Sequence, residues 1–71
     1  MSATPRLLDV VALREDVEAE HLVCGQVGTV VEVMGPDAFL VEFADRNGRT
    51  YAMVELVASQ VVVLKYEPVA A

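Results

Sequence analysis

Apolar and polar positions alternate with a period of two in several short runs of this chain, and Gly, Pro or Asn punctuates the runs. The run Ala38–Ala44 is the cleanest. Successive strand side chains point to opposite faces, so Phe39, Val41 and Phe43 share one face and Leu40, Glu42 and Ala44 the other. The same pattern predicts strands over residues 7–13, 26–34, 49–56 and 61–66. In the run 49–56, Glu55 keeps its own set out of the interior, so Ala52, Val54 and Leu56 should face inward.

Between these runs the signals change. Residues 1–6 read as a flexible arm ended by Pro5, and residues 67–71 as a tail. Residues 14–21 are acidic with little alternation, which predicts a long loop, with a short helix as the alternative. Gly28 lies inside a strand pattern and implies a bulge, a bend or a close backbone approach. Gly35-Pro36-Asp37 marks a turn, and residues 57–60 suit a single 3₁₀ turn. Asn47-Gly48 is the strongest hairpin signal, because both residues tolerate positive φ. Setting Phe43 and Val41 opposite Ala52 and Val54 demands an even-numbered loop, a two-residue Asn47-Gly48 turn or a four-residue loop; a three-residue loop would put Glu55 in the core.

Five short strands within residues 7–66, with a long loop after the first, give the layout of an all-β, SH3-like barrel. A chain of 71 residues holds one such domain. It buries only about 60% of its unfolded surface, so 55% hydrophobic residues imply either a dense core or apolar surface left for a partner or for a second copy of the chain.

Charge narrows the partners. Eleven acids against five bases leave a net charge of −6, and the bases Arg6, Arg14, Arg46, Arg49 and Lys65 are scattered. Nucleic-acid affinity rests on clustered Lys and Arg, so nucleic acid and anionic membrane are disfavoured partners. Cys24 is the sole cysteine, where a small secreted domain would carry disulfide pairs, and the N-terminus lacks a signal-peptide core. No apolar run approaches the roughly 20 residues that span a bilayer. A cytoplasmic protein is expected.

The segments Leu8-Asp9-Val10-Val11-Ala12-Leu13, Gly25 to Val33, Val41 to Asp45 with Gly48-Arg49-Thr50, and Leu56 with Gln60 resemble the bacterial family catalogued as domain of unknown function 4926. The resemblance covers residues 7–64 and implies a small SH3-like fold in a free-standing protein. A looser resemblance links Gly25 to Val33 with the KOW motif, whose domains meet RNA or protein. This chain departs from the RNA-binding form by lacking bases around that strand. Similarity to the SH3-like domain of nitrile hydratase β-subunits is architectural and carries no chemistry.

Candidate chemistry is sparse. His21 and Cys24, with Glu18 and Glu20 nearby, would form a metal site or a Cys-His nucleophile pair only with further ligands; a surface His and a small buried Cys are the preferred reading. Glu32, Glu42 and Glu55 fall on outward positions of successive strands and read as a solvated face rather than paired acid and base. No catalytic set, cofactor site or metal site is expected. Leu40, Tyr51 and Met53, rimmed by those acids, make a candidate contact patch, with ordinary exposed apolar surface or a second minor core under the long loop as the equal alternative. Arg46 and Arg49 flank the Asn47-Gly48 turn and would meet phosphate or a partner carboxylate, or remain solvated, which is the preferred reading. The last strand reads as closing the barrel with both faces buried, or else as an edge strand covered by another subunit through β-augmentation, with dimerisation through this edge as the next option. The expected function is a small, non-catalytic protein–protein interaction module, an accessory or antitoxin-like partner of a neighbouring gene product. The alternative is a KOW-like RNA- or ribosome-associated binding domain.

Overall fold

A computed structural model describes residues 4–65 of the chain. The fold is all-β, as the alternation predicts. Antiparallel strands β1 (Val10–Leu13), β2 (Val27–Gly35), β3 (Ala38–Ala44), β4 (Thr50–Leu56) and β5 (Val61–Val63) form one sheet in the order β4-β3-β2-β1-β5. Single 3₁₀ turns at Glu18–Glu20 and Ala58–Gln60 lie in the connections before β2 and β5.

The inner positions of the strands are buried together: Val11 and Leu13 of β1, Val30 of β2, Phe39, Val41 and Phe43 of β3, Val54 and Leu56 of β4, and Val61 of β5. A single sheet with one apolar face must curl over itself to bury that face. Strand β2 supplies the curl. Val31 and Met34 are extra residues in its register against β3, one between the pairs Val30↔Val41 and Glu32↔Leu40, the other between Val33↔Phe39 and Gly35↔Ala38. Each bulge bends and twists the strand.

Gly28 is a close approach. A Cβ placed there would lie 2.7 Å from Val41 Cγ1, 2.8 Å from the Glu42 carbonyl oxygen and 3.0 Å from Phe43 Cδ2. Any side chain there would push β2 away from β3.

The β3–β4 hairpin keeps the expected register by an unexpected route. Val41 faces Val54 and Phe43 faces Ala52. At the tip, however, the Asp45 N–H donates to the Arg49 carbonyl at 2.9 Å, so Arg46, Asn47 and Gly48 make a three-residue loop. Gly48 takes φ 79° and its N–H donates to the Asp45 carbonyl at 3.0 Å. The register shifts between Phe43↔Ala52 and Ala44↔Thr50, leaving Tyr51 as the extra residue. An odd loop and one bulge together restore even parity, and Glu55 stays outside.

The first strand begins at Val10, not at residue 7. The Asp9 N–H donates to the Arg6 carbonyl at 3.0 Å, and Asp9 Oδ2 accepts the Arg6 N–H at 2.8 Å, closing a turn over Leu7 and Leu8. A short carboxylate that bonds its own backbone competes with the ladder. Leu8 takes φ 70° and is 71% exposed. Pro5 is buried, so the arm is anchored from Pro5 onward; residues 1–3 of the expected arm lie outside the described residues.

Strand β5 ends at Val63 rather than continuing to residue 66; Tyr66 and the expected tail 67–71 lie outside the described residues. Burial on both faces is also corrected. β5 stands at the edge of the sheet with β1 as its neighbour; Val61 is buried while Val62 is 36% exposed. Leu13↔Val61 and Val11↔Val63 face the core, and Ala12↔Val62 face outward. Three consecutive valines hide that alternation in the sequence.

Residues 14–21 form a loop holding one 3₁₀ turn. Val17 and Leu22 exchange two backbone hydrogen bonds (2.9 and 3.1 Å), pinching off residues 18–21, all exposed, while Leu22 is buried in the core. His21 ends the 3₁₀ turn at φ 58°.

Candidate functional site

The outer face of β2, β3 and β4 brings acids and apolar side chains into rows. Strand register sets Leu40 between Glu32 and Glu55, and Glu42 between Thr29 and Met53. Directly opposed side chains on one face of an antiparallel pair interact. Glu32, Glu55 and Met53 are exposed, and Leu40 and Glu42 are half-buried. The Thr50 hydroxyl donates to Glu42 Oε2 at 2.5 Å, fixing that carboxylate against the sheet. The result is a Leu40–Met53 strip framed by three carboxylates.

Tyr51 does not join this strip. The bulge turns its ring toward Phe43, with centroids 6.3 Å apart and planes tilted by 42°, and its hydroxyl accepts from Gln26 Nε2 at 3.3 Å. Phe43 belongs to the core, so Tyr51, itself 48% exposed, stands between that core ring and Gln26 rather than beside Met53. Sequence parity placed Tyr51 with Met53; the extra residue removed it. Arg46 and Arg49 stand exposed on the hairpin tip. Asp45 Oδ1 accepts the Asn47 and Arg49 N–H groups at 2.8 and 3.0 Å, so the turn backbone beneath them is held.

Thr50 and Gln26 contribute to these sites without having been singled out in the sequence. The signal for Thr50 was available, since its hydroxyl falls on the outer face once the hairpin is three residues long. Gln26 carries no local signal beyond its place between Gly25 and Val27.

His21 and Cys24 are both exposed, which corrects the expected burial of the thiol. Leu22 takes the core position in this segment, and Cys24 sits in the turn before β2. The Cys24 N–H donates to Asp16 Oδ1 at 2.8 Å, and its thiol lies 3.5 Å from the Leu13 carbonyl. Among the described residues no group of three His, Cys, Asp or Glu side chains gathers to hold a metal ion. No helix among the described residues is long and apolar enough to cross a membrane.

A family model described as a domain of unknown function (DUF4926) matches residues 7–63. No curated protein and no solved structure matches.

Proposed function

The chain belongs to the family described as a domain of unknown function, DUF4926, and we propose that it is a small, non-catalytic protein–protein interaction module that engages a basic partner. The observation that carries this reading is the outer face of β2–β4: Leu40 flanked by Glu32 and Glu55, and Met53 beside Glu42. Lys or Arg side chains of the partner would meet the carboxylates, while its apolar side chains lie over Leu40 and Met53. Opposed charge accelerates encounter and sets register, and apolar burial contributes about 25 cal/mol per Å². A net charge of −6 likewise favours a partner of positive charge. An accessory or antitoxin-like companion of a neighbouring gene product would use such a face.

An array of peptides that alternate Lys or Arg with Leu or Val tests this. Wild-type protein should retain such peptides, and the triple variant Glu32→Lys, Glu42→Lys, Glu55→Lys should lose them while keeping its circular-dichroism spectrum. Equal retention by both proteins, or none by wild type, overturns the proposal. Binding of single-stranded RNA at low salt, lost steeply as salt rises, would instead support the KOW-like alternative.

A further inference from the structure

The outward side of β1, β5 and the first half of β2 differs from the acidic strip in one respect: its positions carry no charged residue. Val62, Ala12 and Val27 form one row across three strands, and Val10 and Thr29 the next, with the Leu64 N–H donating to the Val10 carbonyl at 2.8 Å. Val27 and Val62 are exposed. This uncharged half ends at the β5 edge.

The hydrogen-bond frame on β5 decides which groups the edge offers. The Arg14 N–H donates to the Gln60 carbonyl at 2.8 Å, and with the Leu64–Val10 bond this sets the backbone groups of Val62 toward β1. Those of Val61 and Val63 therefore point away from the sheet. The Val61 N–H turns back to the Ala58 carbonyl. The Val61 carbonyl and the N–H and carbonyl of Val63 are left facing outward, with no neighbouring strand on that side among the described residues.

We propose that a second copy of this chain docks on this edge, with the two β5 strands pairing antiparallel about a two-fold axis at Val62. Each Val63 N–H then donates to the partner's Val61 carbonyl, and the uncharged halves of the two outer faces join into one apolar surface. A two-fold contact requires a self-complementary patch, and the Val63 N–H and the Val61 carbonyl, placed symmetrically about Val62, meet that requirement while the Val63 carbonyl stays with solvent. Charge selects a copy over an unlike partner. The chain carries −6, so two copies repel unless they meet where neither has a carboxylate. Pairing at β5 comes near that condition: β5 and β1 carry no carboxylate, Glu15 stands beside Gln60 just before β5, and Glu32, Glu42 and Glu55 lie at the distant ends of the joined sheet. A basic partner gains no electrostatic attraction at an uncharged edge. The opposite edge is guarded: β4 carries exposed Glu55 and the bulge at Tyr51, both of which discourage strand addition. β5 carries neither.

Sedimentation equilibrium under reducing conditions tests the proposal. Wild-type protein should show twice the monomer mass, and Val62→Lys should show the monomer mass at a concentration where wild type is dimeric. Exchange of the Val63 amide in the wild type should slow as concentration rises, which keeps the test open if the variant fails to fold. A wild-type monomer, an assembly unmoved by Val62→Lys, or Val63 exchange independent of concentration overturns the proposal. The proposal stands apart from the acidic strip: Val62→Lys should still retain basic peptides, and the triple glutamate variant should still dimerise.

Discussion

Gly28 approaches Val41 so closely that one added methyl would sit 2.7 Å from Val41 Cγ1. The Glu42 carbonyl, 2.8 Å away on the other side, belongs to the backbone and cannot swing aside. Gly28→Ala should therefore lower stability by about 1–3 kcal/mol, the usual cost of overpacking. The urea midpoint measures it; a midpoint equal to wild type would show that β2 moves off β3 freely.

The other glycines separate by backbone conformation. Gly48 sits at φ 79° in open space, so Gly48→Ala should cost about 1–2 kcal/mol from left-handed strain alone. Gly35 also has open space around it, and it is absent from the positive-φ glycines. Gly35→Ala should be neutral or should stabilise by up to about 1 kcal/mol through the unfolded chain. Thermal melts of the two variants should move in different directions relative to wild type; parallel losses would contradict the hairpin geometry.

Leu8 holds φ 70° while 71% of it is exposed, so it bears strain without burial in return. Asn tolerates the left-handed region. Leu8→Asn is expected to raise stability by about 0.5–1 kcal/mol. A fall in the melting temperature would mean that the leucine side chain holds the Arg6–Asp9 turn by packing.

Two glutamines do the same task at different strand entrances. Gln26 Oε1 accepts the Val23 N–H at 2.6 Å before β2, and Gln60 Oε1 accepts the Val57 N–H at 2.9 Å before β5. Each amide nitrogen reaches elsewhere, Gln26 to the Tyr51 hydroxyl and Gln60 to Glu15 Oε2 at 3.5 Å. Gln26→Ala and Gln60→Ala should each cost about 1 kcal/mol. They share no partner, so their losses should add within roughly 0.5 kcal/mol in the double variant. Strong non-additivity in chemical denaturation would show the two entrances to be coupled.

Strand β3 was legible residue for residue, because turn signals bound it and Glu42, between Val41 and Phe43, marks which face stays outside. The placing of Leu40, Met53 and the three glutamates on one outer face followed from parity and the β3–β4 register. Tyr51 was not legible: the sequence around it alternates normally, and the bulge arises from how a three-residue loop must be reconciled with a core set elsewhere. The turn at Leu7 and Leu8 was hidden because no Gly or Pro marks it; a side chain of Asp9 makes it. The edge position of β5 was open in principle, since Val61-Val62-Val63 reads the same whether or not another strand lies beyond it.

The Val17–Leu22 pinch has a consequence for how this surface can change. Leu22 is anchored in the core and two backbone bonds seal the neck, so residues 18–21 form a cassette whose side chains support nothing beneath them. Such a segment is free to drift, lengthen or be replaced by a foreign epitope while the barrel stays intact, provided Val17 and Leu22 remain. It is the natural position at which to graft a reporter or a recognition loop on this scaffold.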